Sequence, residues 1–287
     1  MGKLAFVLSG GGARGALQVG ALQALLEVGI HPDLMVGTSI GAVNATYLAV
    51  RGVRLESVQG LKSAWRDAAR ADLLPANYLR LALRTFTNRS FDSIYQRHRE
   101  FYISHGLSPN FKFRDIQEVE LIQVATDLNS GEPVLYGRNP DESVLDGLMA
   151  SITLPPWMPP HERDGSLLMD GGVVSNLPVE PALICGAKEI IALDLSDLRE
   201  PLAPGPGFGQ FLTKLLFTVS KRQIEMELAL AESRRVPVRR VNLLGSKPVN
   251  LWDFEHTEEF IEQGYRSTQA VIAGWEQKRS FWQRWFA

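Results

Sequence analysis

Apolar residues run unbroken from Leu4 to Leu8 and stop at Ser9 and a glycine cluster, the pattern of a strand buried on both faces of a parallel sheet. From Ala16 to Val28 the period changes. Leu17, Ala21, Leu25 and Val28 line one face of a helix, and Gly29 supplies its stop. The cycle then repeats, with "PDLMVG" as a second strand and "SIGAVNATYLAVRG" as a second helix closed by Gly52. Strand, loop, helix, strand, turn and helix in quick succession are the rhythm of a parallel sheet with helices on its faces.

Residues 54 to 114 read as mostly helical, with irregular patches at "LLPAN" and "FTNRSFDS". "LIQVATDL" and "PVLYG" form a strand pair, Asp141 to Ala150 a helix, and "SITLPPWMPPHERDG" a loop stiffened by four prolines. Strand patterns return in "SLLMDGG" and "EIIALDL". After the Pro/Gly-rich break "REPLAPGPGFG", Phe211 to Ser233 has helical spacing, "VRRVNLL" reads as a last strand, and Thr257 to Phe286 as a terminal helix. The break near Pro201 is the one credible linker, and the helix and strand beyond it continue the same sheet. The expectation is an α/β chain forming a single domain over 1–287, with a C-terminal helical segment from about residue 256.

Composition narrows the function classes. At 45% hydrophobic and 22% charged residues the chain has the balance of a globular domain. Its 30 Lys and Arg against 32 Asp and Glu leave a net charge of −2, so no field draws in a nucleic acid. Cys185 stands alone, no Cys/His cluster has zinc spacing, and a reducing, cytoplasmic setting is expected. The opening apolar run is too short for a secretory signal. The longest uncharged stretch, Leu34 to Val50, holds Thr38, Ser39, Asn44 and Thr46, which suits a folded interior better than a bilayer.

The glycine cluster raises the question of chemistry. Gly10, Gly12 and Gly15 in "GGGARG" satisfy G-x-G-x-x-G after a strand and at a helix start, a dinucleotide fingerprint. Such a site also wants an acidic residue at the end of the second strand, yet Asp33 precedes that strand and "GTSIG" follows it. There Gly37, Ser39 and Gly41 satisfy G-x-S-x-G between strand and helix, the sharp turn that lifts a nucleophilic serine above a sheet. The N–H groups of Gly10, Gly11 and Gly12 then form a positive concavity suited to a phosphate or to the oxyanion of a tetrahedral intermediate.

A serine nucleophile needs a base. Asp170, closing the strand in "MDGGVVSNLP" and followed by Gly171 and Gly172, places a carboxylate where backbone and ligand can come close. The order Ser39, Asp170, His256 also mimics a serine, acid, histidine triad, but His256 sits beside Glu255, Glu258 and Glu259 at a solvated helix start. His161 lies in a loop, and His31, His98 and His105 read as surface positions.

In this order, "GGGARG", "GTSIG", "ASITLPPWMPP" and "DGGVVSNLP" resemble the motifs of the patatin-like phospholipase family, its bacterial members above all, and "GAKEIIALDLS" and "FIEQGY" resemble features nearer the C-terminus. The resemblance implies a three-layer α/β/α fold with a central, mainly parallel sheet. It also implies hydrolysis of lipid acyl esters by a Ser-Asp dyad with no histidine, metal or cofactor. Carried onto this chain, Ser39 is the nucleophile and Asp170 the proton acceptor. Gly10, Gly11 and Gly12 hold the oxyanion, with Gly11 and Gly12 as direct donors. Two other readings stay open: a nucleotide-binding protein using Gly10, Gly12 and Gly15, and a catalytically silent lipid-binding module.

The remaining features have more than one reading. Arg14 either braces the glycine loop through an ion pair or meets an anionic headgroup. Ser151 is a rival serine without flanking glycines, while Asn176 and Pro178 shape the turn after Asp170. Trp157 and Met158 either wall an acyl pocket or plug the core. "FGQFLTKLLFTVSK" is a core, dimer or membrane-facing helix. The ending, with Trp275, Phe281, Trp282, Trp285 and Phe286 beside Lys278, Arg279 and Arg284, either docks on a membrane surface or covers the protein's own. Oligomeric state is left open.

Overall fold

A computed structural model of the chain describes residues 2–71, 91–154, 158–197, 208–246 and 254–285. Its frame is one eight-stranded sheet. β1 (Leu4–Leu8) lies between β2 (Leu34–Thr38) and β7 (Glu189–Asp194); β3 (Glu120–Asp127) extends the parallel array beyond β2, and β8 (Val238–Asn242) beyond β7. Beyond β3 the pairing turns antiparallel, with β4 (Pro133–Tyr136) and β6 (Ser166–Asp170) on β3, and β5 (His161–Arg163) on β6.

Alternation along the strands sorts side chains into two layers of core. Phe6, Leu8, Met35, Ile191 and Leu193 pack under α1 (Gly15–Glu27), α2 (Ile40–Arg51), α3 (Leu55–Arg70), α4 (Phe91–Ser104), α5 (Val144–Ile152) and α8 (Thr257–Trp285). Ala5, Val7, Leu34, Val36, Ile190 and Ala192 face α6 (Val179–Ile184) and α7 (Phe208–Ser233). The result is the α/β/α sandwich that the parallel strands demand, because both sheet faces are apolar and both need cover. α1 lies so close under α8 that a side-chain carbon on Gly20 would meet the Ile261 carbonyl at 1.9 Å, and one on Gly264 the Leu17 carbonyl at 1.9 Å.

The sequence pattern finds most of these elements and misplaces a few. α5 begins at Val144, not Asp141, because the Ser143 hydroxyl caps it by accepting from the Asp146 N–H. The expected proline-stiffened loop contains β5, three residues too short to show alternation, which zip onto β6. α6 is six residues long and carries no helical period of its own. The patch "LLPAN" and most of both "FTNRSFDS" and the Pro/Gly break lie outside the described residues, the end of the break at Phe208 and Gly209 opening α7. β8, beyond that break, joins the same sheet as β1.

Candidate active site

The register on β3 creates the site. At Gln123 and Val124 the strand is paired with both β2 and β4, and at Ala125 and Thr126 with both β4 and β6, so β2 and β6 share one edge of β3. β2 runs parallel to β3 and ends with Thr38 opposite Val124; β6 runs antiparallel and ends with Asp170 opposite Ala125. The carboxyl ends of β2 and β6 therefore meet head to head. Ser39 and Asp170, far apart in sequence, leave the sheet side by side.

Ser39 stands on a strained turn, at φ 55° and ψ −124°, a conformation that a side chain disfavours. Its flanking glycines are required by crowding. A side chain on Gly37 would meet the Ala42 amide at 2.5 Å, and one on Gly41 the Leu8 carbonyl at 2.2 Å, because α2 doubles back across the ends of β1 and β2. The Ser39 side chain acts on the Asp170 carboxylate, lowering its pKa.

Asp170 is 6% exposed, and its Oδ1 accepts from the Gly172 N–H at 2.8 Å. Burial pushes its carboxyl up to about 6, against the smaller downward pull of the hydrogen bonds from Ser39 and Gly172. Its backbone is fixed as well, with the Thr126 hydroxyl donating to the Asp170 carbonyl at 2.9 Å. The loop after Asp170 is tied to the nucleophile strand, since the Thr38 hydroxyl donates to the Ser175 carbonyl at 2.8 Å. Gly171 presses on the Val124 carbonyl, where a side-chain carbon would come within 2.3 Å, and one on Gly172 would meet the Asp170 carboxylate at 3.1 Å.

The glycine loop passes over this pair. A side-chain carbon on Gly10 would lie 2.6 Å from Asn176 Oδ1 and 3.2 Å from Ser39 Cβ. The Gly10 N–H donates to the Asn176 carbonyl at 3.0 Å, whereas among the described residues neither the Gly11 nor the Gly12 N–H has a hydrogen-bond partner. Gly12 turns the chain at φ 56° into a short 3₁₀ segment, Gly12–Arg14, that leads into α1. Gly15 lies against Ile40 and Trp65, and Arg14, 4% exposed, is withdrawn from solvent.

A buried polar network that sequence reasoning missed anchors the loop from below. Gln18 Nε2 donates to the Ser9 carbonyl at 2.9 Å, Asn44 Nδ2 donates to the Gly15 carbonyl and to Gln18 Oε1 at 3.0 Å each, and Trp65 Nε1 donates to Asn44 Oδ1 at 2.9 Å. The signal was present: Gln18 and Asn44 interrupt otherwise apolar helices, and buried amides of this kind are held by hydrogen bonds.

The other candidates separate from the site. Asp33 accepts from the Leu4 N–H at 2.7 Å, at the amino end of β1, opposite the end that carries the glycine loop. His256 pairs with Glu259 at the start of α8. His161 meets the Tyr95 hydroxyl at 3.2 Å and is held below the ordinary histidine value by burial. His98 is not at the surface as its charged neighbours suggested. It lies on the inner face of α4, one turn from the buried Ile94, whose carbonyl it contacts at 3.0 Å, and burial lowers its pKa. Ser151 is wholly buried, and its hydroxyl donates to the Val124 carbonyl at 2.7 Å, so it is not a free nucleophile. Met158 packs in the core under the helices, while Trp157 lies outside the described residues. Of the terminal aromatics, Trp275 carries the Arg239 guanidinium over its ring at 5.2 Å, and the side chains beyond it are outside the description.

Among the described residues no group of His, Cys, Asp or Glu is arranged to hold a metal ion, and no helix is long and apolar enough to cross a membrane.

Residues 6–183 match the family described as Patatin-like phospholipase. The chain is 29% identical over 309 residues to Patatin-like phospholipase domain-containing protein 7 of Mus musculus, an alignment covering 95% of this chain and 21% of that protein. It is 28% identical over 294 residues to Lysophospholipase NTE1 of Phaeosphaeria nodorum, covering 93% and 18%. The chain thus spans about a fifth of the length of these curated relatives. Human GIVD cytosolic phospholipase A2, solved in complex with a fluorophosphonate inhibitor, superposes with a TM-score of 0.50 at 13% identity, over 97% of this chain and 59% of that one, a likeness of fold.

Proposed function

Because the chain belongs to the patatin-like phospholipase family, we propose that it is a serine acyl hydrolase of phospholipid or lysophospholipid esters that works with a Ser39–Asp170 dyad. The observation that carries this reading is the buried Asp170 carboxylate, its raised pKa partly lowered by a serine on a strained turn, under a loop with two amides that have no partner among the described residues.

In the proposed reaction Asp170 takes the Ser39 hydroxyl proton as the oxygen attacks the ester carbonyl. The N–H groups of Gly11 and Gly12 receive the negative charge that develops on the carbonyl oxygen, and Gly10, its own N–H engaged by Asn176, fixes the loop above the serine. Collapse of the tetrahedral intermediate expels the alcohol, which takes the proton from Asp170. Water then attacks the acyl-serine, gives a proton to Asp170, and the acid leaves as Ser39 is re-protonated. A carboxylate raised to about 6 is a better base than an ordinary aspartate and is still ionised at neutral pH.

Supply of a lipid substrate suits a surface contact, and α7 offers one. Leu215, Val219 and Met226 are exposed on one face of this helix, opposite the buried Ile224, and Lys214, Lys221 and Arg222 lie in the same stretch. The proposal places the protein in the cytoplasm, peripheral to an anionic membrane.

Hydrolysis of a panel of lipid esters by wild type and by Ser39→Ala tests the reading: the wild type releases fatty acid and the variant, folded as judged by circular dichroism, releases none. Full activity in Ser39→Ala would falsify the dyad. The glycine loop read as a nucleotide site is not favoured, since Asp33 sits at the wrong end of the sheet to meet a ribose there.

A further inference from the structure

We propose that Ser151 and Thr153, at the carboxyl end of α5, are positioning residues that together set where Ser39 and Asp170 stand relative to each other. The inference rests on the dyad reading and extends it to residues with no part in the chemistry.

The need arises from the head-to-head junction on β3. Where β2 and β6 abut, Ser39 has left its ladder, so its N–H needs an acceptor from outside the sheet. Ser151 Oγ supplies it, accepting from the Ser39 N–H at 3.0 Å while donating to the Val124 carbonyl at 2.7 Å. Asp170 is held from the same helix end, its N–H donating to the Thr153 carbonyl at 2.6 Å. The carbonyls in the last turn of a helix lack partners within it, which leaves Thr153 free to accept. That last turn is itself fixed, because the Thr153 hydroxyl donates to the Met149 carbonyl at 2.7 Å.

Both residues are wholly buried, so water cannot substitute for either. A serine in a helix ordinarily bonds back to its own preceding turn. Ser151 instead bridges two other elements, and the carbonyl it holds is the one against which Gly171 is pressed. One rigid helix end thus references the backbone of the nucleophile and the backbone of the base. Loss of the Ser151 hydroxyl leaves a buried amide without an acceptor at the most strained residue of the site, and the turn relaxes. Ser39 Oγ then withdraws from Asp170.

The test is steady-state kinetics of Ser151→Ala on a soluble short-chain ester across the pH range, with circular dichroism and fluorophosphonate titration of the reactive serine. The expected result is a kcat lower by about tenfold to a hundredfold, with KM within about twofold. The acidic limb of the rate profile should also move to higher pH, because the Ser39 hydrogen bond that lowers the Asp170 pKa is weakened. Thr153→Val, which keeps the carbonyl but frees the last turn, shifts kcat and the limb in the same direction by a smaller factor. Wild-type kcat and an unmoved limb in both variants would overturn the proposal. So would a loss of activity that merely tracks a loss of titratable serine with the limb unmoved, since that is the signature of instability alone. Failure of the dyad reading shows up separately, as activity in Ser39→Ala.

Discussion

Two buried carboxylates lie close to the same loop and meet different partners. Asp170 and Glu227 are each 6% exposed, and burial raises both, to about 6 and about 7. Glu227, on α7, accepts from the Ser175 hydroxyl and the Glu180 N–H at 2.7 Å each. It caps α6 from a distance and holds the loop after Asp170, helped by Gln223, which donates to the Val173 carbonyl. Its donors are an amide and a hydroxyl already committed to structure. Asp170 faces a hydroxyl on a strained, partly exposed turn that lowers its pKa, beneath two amides without a partner among the described residues. A raised pKa therefore reports burial, and the group at the other end of the hydrogen bond decides whether a carboxylate is a base or a clamp.

The largest expected difference between the two is in turnover. Asp170→Asn lowers kcat by on the order of a thousandfold or more, as loss of a dyad member does. Glu227→Gln keeps an acceptor for the loop and loses less than about tenfold, a comparison made in one ester assay. A loss as deep in Glu227→Gln as in Asp170→Asn would erase the distinction.

The pH dependence sharpens it. The rate of wild type rises through about pH 6 as Asp170 ionises, and Glu227→Gln keeps that limb in place. Stability runs the other way. Both carboxyls sit above their ordinary values, so the folded chain holds these protons more tightly than the unfolded chain. Their contribution favours the fold at low pH and is lost as pH rises through about 6 for Asp170 and about 7 for Glu227. Asp170→Asn and Glu227→Gln should each unfold later than wild type in denaturant at about pH 8, by on the order of 1–3 kcal/mol, and lose that advantage near about pH 4. The smallest effect belongs to His256→Ala, whose partner is Glu259 and whose rate stays within about twofold of wild type; an inactive variant would revive the triad.

Much of this was legible in the sequence, because glycine reports local geometry. Gly37 and Gly41 around Ser39 announced a turn too tight for side chains, and the structure puts a carbonyl and an amide where those side chains would go. The apolar runs at Leu4 to Leu8 and "EIIALDL" announced strands buried on both faces, and alternate residues duly enter different layers of core. What was hidden depends on register between distant segments. Nothing local in "SITLPP" says that Ser151 will reach the Ser39 amide, and nothing in "QIEMELALAES" distinguishes the buried Glu227 from its exposed neighbour Glu225. His98 was misread for a local reason, since charged neighbours in sequence occupy other faces of its helix.

The most direct measurement is fluorophosphonate labelling read by peptide mass spectrometry, which reports an activated serine independently of any lipid. A single adduct, on Ser39, is expected, formed by wild type and by Glu227→Gln at similar rates and slowed by orders of magnitude in Asp170→Asn. An adduct on another serine, or undiminished labelling of Ser39 in Asp170→Asn, would contradict it.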